Sequence, residues 1–237
     1  MPTPPPSGRA APPPPPGRSA MAEADLLPHP MTLLIAHARS GERPWHELCW
    51  RIDDRMARTV LGKREGAVAA IRLTWWEEAL AATGPSAPGE PLLAQWRACA
   101  PDDAARAAVN AVAGAWRMLL DPEPMSETEW LAFGHGRGAL FALIARRPGD
   151  VTLGTAGALW ALWDVAGRDP DRQRAQGAFS AATALAGAQP LPLSAVRPKP
   201  LALATGLALD DIRTGRLPDG RFKPRQYLRL LRRALFF

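Results

Sequence analysis

Two short acidic stretches are the places where this sequence could bind a metal ion and act on a phosphate. The first, DDRMA, begins with Asp53 and Asp54, and the second, DVAGRD, begins with Asp164 and ends with Asp169. Mg²⁺ prefers oxygen ligands and bridges readily to phosphate. Because two carboxylates four residues apart lie on one face of a helix, such a pair could share a metal ion.

Neither stretch completes such a pair. Four residues after Asp53 the sequence has Ala57, and four residues after Asp164 it has Arg168. Asp169 comes one residue too late, which displaces it by about 100° around a helix axis. Each stretch therefore offers only its leading carboxylate, and both predicted metal sites lack half of their ligands.

The positions of the aspartates on their helices distinguish them further. Asp53 flanks the apolar stripe of its helix, whereas Asp54 lies opposite that stripe, within reach of Arg51 and Arg58. We therefore expect Asp54 at the surface, in solvent-exposed ion pairs. Two interpretations of Asp53 and Asp164 stay open. They hold a single Mg²⁺, or they form salt bridges to arginine at the edge of the core, which we favour.

Other chemistries find little support in the sequence. His29, His37 and His46 show no ligand spacing with one another, and there is no locally supported Ser-His-Asp grouping, P-loop or strand-linked GxGxxG. Cys49 and Cys99 are far apart and form neither a metal motif nor a disulfide framework. A reducing compartment is therefore expected.

The segments that carry these residues have helical patterns almost throughout. Ser126 and Glu129 have the spacing of a capping box, and Asp102 and Asp103 are candidate caps of the preceding helix. No alternating β pattern of useful length is present, so the sequence predicts an all-α fold. Between positions 43 and 60, apolar residues recur at spacings of three and four, as on one stripe of a helix: Trp45, Leu48, Cys49, Ile52, Met56 and Val60.

The stretch IRLTWWEEAL, residues 71–80, predicts a helix with two apolar faces. Leu73 and Trp76 belong to one stripe, and Ile71 and Trp75 belong to a second. A helix with two apolar faces is typical of the inside of a bundle. We therefore expect the two tryptophans to contact different neighbouring helices.

Arg72 lies one turn from both tryptophans. We favour a cation–π contact with them, or packing of its apolar stem. A carboxylate partner across the bundle, such as Asp53, is an alternative. A contact of Arg72 and Trp76 with a phosphate or a ligand cavity is the interpretation we favour least.

The motif GHGRG, residues 134–138, interrupts an apolar helix with three glycines. Each glycine weakens a helix interior by about 1 kcal/mol relative to alanine. We therefore expect a neighbouring helix to approach closely at this motif.

The two ends of the chain differ from the rest. Residues 1–20 hold nine of the 26 prolines and almost no apolar bulk. This composition predicts a disordered tail, or reflects the choice of start site, since Met21 opens a more ordinary sequence. Residues 21–237 then form one helical domain. Residues 197–237 hold ten Lys and Arg against three Asp, so positive charge is concentrated at the end of the chain.

The last segment, RQYLRLLRRALFF (225–237), predicts a basic amphipathic helix with Tyr227, Leu230, Leu231 and Ala234 on one side. We favour docking of this side on the bundle, with the arginines in water. Contact with an anionic membrane surface is the alternative. Nucleic-acid binding is not expected, because aromatic residues do not alternate with the basic ones.

Four segments resemble the squalene/phytoene synthase family. RPWHELCWRIDDRMARTV (43–60) followed by EGAVAAIRLTWWEEALAA (65–82) is similar to its amino-terminal part, where an Arg-led helix precedes a helix close to I-R-L-x-W-W-x-x-A-L. GRGALFALIARR (136–147) and GTAGALWALWDVAG (154–167) resemble its middle helices. The resemblance covers about residues 26–215, and the WW helix is its most specific part.

The resemblance implies the isoprenoid-synthase fold, an all-α bundle around a deep apolar cavity. Active members join two allylic diphosphates head to head, using Mg²⁺ held by D-x-x-x-D pairs on two facing helices. Asp53 and Asp54 match the start of the first pair, and Asp164 matches the start of the second. The Asn and Arg that usually precede the second pair are replaced here by Trp and Leu.

Two classes of function follow from the resemblance. The one we favour is a non-catalytic family member that serves as a binding or assembly factor, as do some relatives with eroded motifs, among them a mitochondrial respiratory complex I assembly factor. The other is a Mg²⁺-dependent prenyltransferase that condenses farnesyl or geranylgeranyl diphosphate in isoprenoid or carotenoid biosynthesis. A pseudoenzyme needs no cofactor, whereas an active enzyme needs Mg²⁺.

The expected partners are an isoprenoid or other apolar ligand in the bundle cavity, a partner protein, and an anionic membrane surface contacted through residues 225–237. The expected location is the cytoplasm, peripheral to the inner face of the membrane.

Overall fold

A computed structural model describes residues 27–62, 66–83, 90–218 and 224–236. Within these ranges the chain forms ten α-helices and no β-strand, which confirms the all-α prediction. The predicted tail, residues 1–20, lies outside the described residues. The helices are α1 (His29–Ala36), α2 (Arg43–Leu61), α3 (Gly66–Ala81), α4 (Pro91–Ala98), α5 (Asp103–Met118), α6 (Glu127–Ala145), α7 (Val151–Arg168), α8 (Arg172–Ala188), α9 (Lys199–Arg213) and α10 (Pro224–Phe236), with a 3₁₀ turn at Leu193–Ala195.

Several helices begin at a side-chain cap that the sequence offers. The Asp102 side chain accepts a hydrogen bond from the backbone N–H of Ala105 at the start of α5. Ser126 and Glu129 form the predicted capping box at the start of α6. These caps satisfy N–H groups that have no partner inside their own helix.

Helices α6 and α7 form the centre of the bundle, and their backbones meet at two glycines. A Cβ atom on Gly138 would lie 2.5 Å from the backbone nitrogen of Ala158, and a Cβ atom on Gly157 would overlap the carbonyl of Gly138. Glycine is therefore required at this crossing. The close approach expected at GHGRG is confirmed. Helices α2, α5 and α8 pack around α6, while α8 and α9 pack against α7.

Helix α3 buries one face, whereas the sequence predicted two apolar faces inside the bundle. The prediction of the second face is wrong. Leu73 and Trp76 are buried, as expected. Ile71 is 70% exposed and Trp75 is 41% exposed, because α3 lies at the edge of the bundle and packs on α2, α4 and α5. The Trp75 ring meets the edge of the Trp76 ring, with centroids 5.1 Å apart.

Helix α10 docks through one leucine and two arginines. Leu230 is buried, as expected. Arg229 and Arg233 were expected to lie in water, but they form ion pairs with α9. Arg229 donates to Asp211 at 2.8 Å, and Arg233 donates to Asp210 at 2.5 Å. The sequence placed Leu231 on the docked side of α10, and this is wrong because Leu231 faces outward. The exposed leucines of α10 are Leu228, Leu231 and Leu235. None of the described helices is long and apolar enough to cross a membrane.

The contrast between the two tryptophans of α3 can be measured. Trp76→Ala should lower the free energy of unfolding by about 3–5 kcal/mol, because it leaves a cavity under a buried helix face. Trp75→Ala should cost less than half as much, because its side chain is partly in water already. Chemical denaturation of both variants checks this. Equal losses would show that the two faces of α3 are equally buried.

Candidate functional site

The centre of the bundle holds an arginine. Arg137 lies on the apolar stripe of α6, between Phe133 and Phe141, and is 0% exposed. A guanidinium group cannot lose its charge in a protein, so it must find anionic partners when it is buried.

Two aspartates from different helices supply those partners. The Arg137 Nε and Nη2 atoms donate to the two oxygens of Asp53 on α2, at 3.0 and 2.8 Å. Nη2 also donates to Asp164 on α7 at 2.6 Å, and Nη1 donates to the carbonyl oxygen of Ala161 at 3.1 Å. This fork geometry uses every nitrogen of the guanidinium.

Two tryptophans enclose the same group. The Arg137 guanidinium lies 4.4 Å from the ring centroid of Trp116 and 4.4 Å from that of Trp160. The Trp116 indole N–H also donates to Asp53 at 2.8 Å. Cation–π attraction is strongest where water is excluded, so the rings stabilise the buried charge.

The electrostatic balance keeps Arg137 charged. Burial by itself lowers the pKa of Arg137, but the charges of Asp53 and Asp164 and their hydrogen bonds outweigh burial and raise the pKa above its ordinary value. The guanidinium is therefore a permanent cation between two carboxylates.

A second set of ion pairs borders the first. Asp54 accepts from Arg58 at 2.6 Å and from Arg168 at 2.7 Å, and Arg168 also lies 3.7 Å from Asp164. Asp54 is only 6% exposed, so its predicted surface position is wrong. The expected pair with Arg58 forms, but the end of α7 covers it and adds Arg168.

Four aspartates were predicted at the metal sites. Three of them lie in one network of ion pairs, and the fourth lies elsewhere. Asp53, Asp54 and Asp164 lie in this network, which we call the Arg137 cluster and define by Asp53, Asp54, Arg58, Arg137, Asp164 and Arg168. Asp169 caps the end of α7, where it accepts from the N–H of Asp171 and from Arg174. It is outside the cluster because it follows the last helical residue.

Arg72 and Trp76 are also outside the cluster. Arg72 is exposed on α3, and the arginine over the Trp76 ring is Arg55, with its guanidinium 5.6 Å from the centroid. Asp53 takes Arg137 as its partner instead of Arg72. The alternative that Asp53 pairs with Arg72 is therefore wrong, whereas packing of Arg72 against the two tryptophans stays a prediction.

The cluster does not fit Mg²⁺. The ion would need the oxygens of Asp53 and Asp164, which face the Arg137 guanidinium between them. At the position where a second carboxylate would complete the pair, Arg168 adds a further positive charge. Among the described residues no group of three His, Cys, Asp or Glu is placed to hold a metal ion.

Aromatic rings fill the space beside the cluster. The Trp50 and Trp160 centroids are 4.7 Å apart, and Phe141 stacks on Trp160 at 5.5 Å. All three side chains are buried. An apolar ligand at this level of the bundle would have to displace them.

Arg137 was not among the predicted site residues, although it belongs to the GHGRG motif. A usable signal was present: Arg137 is the charged residue on a stripe made otherwise of Trp130, Phe133, Phe141 and Ile144. A charge on such a stripe predicts a buried ion pair.

No family model matches the chain, and comparison with curated proteins and with solved structures gives no match either. The resemblance to squalene/phytoene synthases therefore rests on the residues quoted above.

The energetic importance of Arg137 can be tested directly. Arg137→Met keeps the approximate length of the side chain but leaves Asp53 buried without a counter-charge and Asp164 with only the more distant Arg168. The free energy of unfolding should fall by about 3–5 kcal/mol. Arg137→Lys should lie between wild type and Arg137→Met, since lysine keeps the charge and lacks the fork. Urea denaturation measures all three proteins.

A surface pair provides the control. Arg147 lies 2.7 Å from Asp150, and its side chain is 55% exposed. Arg147→Ala should change the free energy of unfolding by less than about 1 kcal/mol. A similar effect of Arg137→Met and Arg147→Ala would contradict the central role of the buried arginine.

Proposed function

We propose that this chain is a non-catalytic protein with an isoprenoid-synthase-like bundle, related to squalene/phytoene synthases, and that it acts as a binding or assembly factor. The observation that carries the proposal is the position of Arg137 between Asp53 and Asp164. These are the two aspartates that match the leading residues of the family's metal-binding pairs.

The physical argument concerns what the carboxylates can offer a substrate. Prenyl transfer of the family's type needs metal ions that neutralise a departing diphosphate, and preorganised electrostatic stabilisation is usually the largest catalytic contribution. In this chain the three carboxylates of the Arg137 cluster, Asp53 and Asp164 among them, already face three arginines that belong to the protein. The cluster therefore supports folding better than it supports chemistry.

The Mg²⁺-dependent prenyltransferase remains the alternative that the experiment must exclude. Purified protein is incubated with isotope-labelled farnesyl or geranylgeranyl diphosphate and Mg²⁺. We expect no coupled C30 or C40 product and no release of diphosphate above background. A coupled product that requires Mg²⁺ and disappears in Asp53→Asn would overturn the proposal.

A second measurement does not depend on knowing the substrate. An ion that binds the native state raises its stability, by about 2.7 kcal/mol at a hundred times the dissociation constant. Mg²⁺ should therefore leave the thermal unfolding midpoint of this protein unchanged. A rise in the midpoint that Asp53→Asn removes would show that the cluster binds the ion after all.

Contact with a membrane is the second part of the proposal, and α10 supports it. Leu228, Leu231 and Leu235 are 53–82% exposed on one side of the helix, next to the exposed Arg232. Exposed leucines beside arginines are typical of helices that lie in the interface of an anionic membrane. Residues 225–237 would then attach the protein at a surface where a partner protein is assembled.

Vesicle cosedimentation tests this contact. The protein should bind vesicles that contain phosphatidylserine and should bind pure phosphatidylcholine vesicles much less. Leu231→Glu combined with Leu235→Glu should abolish binding. The matched control is Ile71→Glu combined with Val151→Glu, which changes two other exposed apolar residues by the same charge. Equal loss in both double variants would refute a specific role of α10.

A further inference from the structure

A basic cleft lies at one end of the bundle, away from the Arg137 cluster. It has a volume of about 850 Å³ and is formed by the loop from α1 to α2, the first turn of α2, the end of α6 and the start of α9. One acidic residue, Glu42, faces it. The Arg and Lys residues that line the cleft are Arg39, Arg146, Arg147, Arg197 and Lys199.

Most of this positive charge has no carboxylate partner. Arg147 pairs with Asp150, but in the part of the chain that the structure describes no ion pair involves the other four cations. Lys199 donates to the carbonyl oxygen of Ala234, which leaves its charge uncompensated. The pKa of His37 is lowered by burial and by the charge of Lys199, as expected in an electropositive cleft.

His46 adds a buried polar atom that lacks a partner. This residue lies in the first turn of α2, lines the cleft and is 1% exposed, and its Nδ1 atom makes no hydrogen bond within the described structure. Buried polar atoms nearly always have a partner, so an unpartnered one beside a cleft points to a ligand. Burial lowers the pKa of His46 despite the opposing charge of Glu42.

Two helix starts and one stacked arginine complete the cleft. Helices α2 and α9 begin at the cleft, and neither has a side-chain cap, so the positive ends of two helix dipoles lie at this end of the bundle. The Arg146 guanidinium is held 4.5 Å above the Trp45 ring. An arginine fixed in this way is prepared for a bidentate contact with an oxyanion.

We propose that this cleft binds a small anion that carries a phosphate or diphosphate group, either a soluble phosphate ester or the headgroup of an anionic phospholipid. Arginine forks and uncapped helix starts are the groups that bind phosphate oxygens. The cleft is larger than one phosphate, and Trp45, Ile144 and Pro198 give it apolar walls for the rest of the molecule. This inference does not depend on whether the Arg137 cluster is catalytic, because the lining of the cleft includes none of its residues.

Calorimetric titration of the full chain with inorganic pyrophosphate at low salt tests the proposal. The double variant Arg146→Gln/Arg197→Gln should weaken binding at least about tenfold, because it removes two charge-assisted contacts. The control is Arg172→Gln/Arg213→Gln, which removes the same charge from two exposed arginines outside the cleft. It should weaken binding no more than about twofold. Thermal unfolding of both variants confirms that they are folded.

A second arm identifies the source of the phosphate. Vesicles containing phosphatidic acid are added to wild type and to the two double variants, with and without pyrophosphate as competitor. Binding that only the cleft variant loses, and that pyrophosphate displaces, assigns a lipid headgroup. Pyrophosphate binding without cleft-dependent vesicle binding assigns a soluble phosphate ester. The proposal fails if neither probe binds through the cleft, or if the control variant loses as much affinity as the cleft variant.

Discussion

The buried charge of Arg137 is the constraint on which the rest of the bundle depends. One guanidinium joins α6 to Asp53 of α2 and to Asp164 and Ala161 of α7, and it lies between the indole rings of Trp116 and Trp160. A buried charge is tolerated only when all of its partners are in place. The rotation of each of these helices about its axis is therefore fixed by the same small group of atoms.

This constraint also changes the chemistry that the helices can perform. A metal site needs carboxylates that are free to bind a mobile ion, whereas here Asp53 and Asp164 hold a charge that is part of the chain. Arg168, next to Asp54 and Asp164, increases the positive charge where a second acidic ligand would be needed. Removing one member of such a buried network leaves an uncompensated charge, so its members depend on one another.

Both binding functions that we propose lie at the surface of the bundle. The exposed leucines of α10 and the basic cleft at the start of α9 are close together, since Lys199 contacts the carbonyl of Ala234 near the end of α10. An apolar helix face beside a basic cleft is a combination that suits an anionic, partly apolar surface or ligand. Function at these places requires no catalytic carboxylates.

The sequence by itself determined the helices and most of their buried faces. Periodicity placed Leu73 and Trp76 in the core, capping chemistry placed the starts of α5 and α6, and the glycines of GHGRG indicated a close helix crossing. These features depend on residues within a few turns of one another, so their patterns can be recognised along the chain.

Only the tertiary structure decided which charges meet. Asp53, Arg137 and Asp164 are separated by 84 and 27 residues, and nothing local in the sequence specifies their pairing. The same limit explains the errors at Asp54 and Trp75, because the exposure of a helix face depends on which neighbour covers it. The basic cleft was not predicted at all, since its charges come from three separate parts of the chain and acquire a common environment only when the bundle has formed.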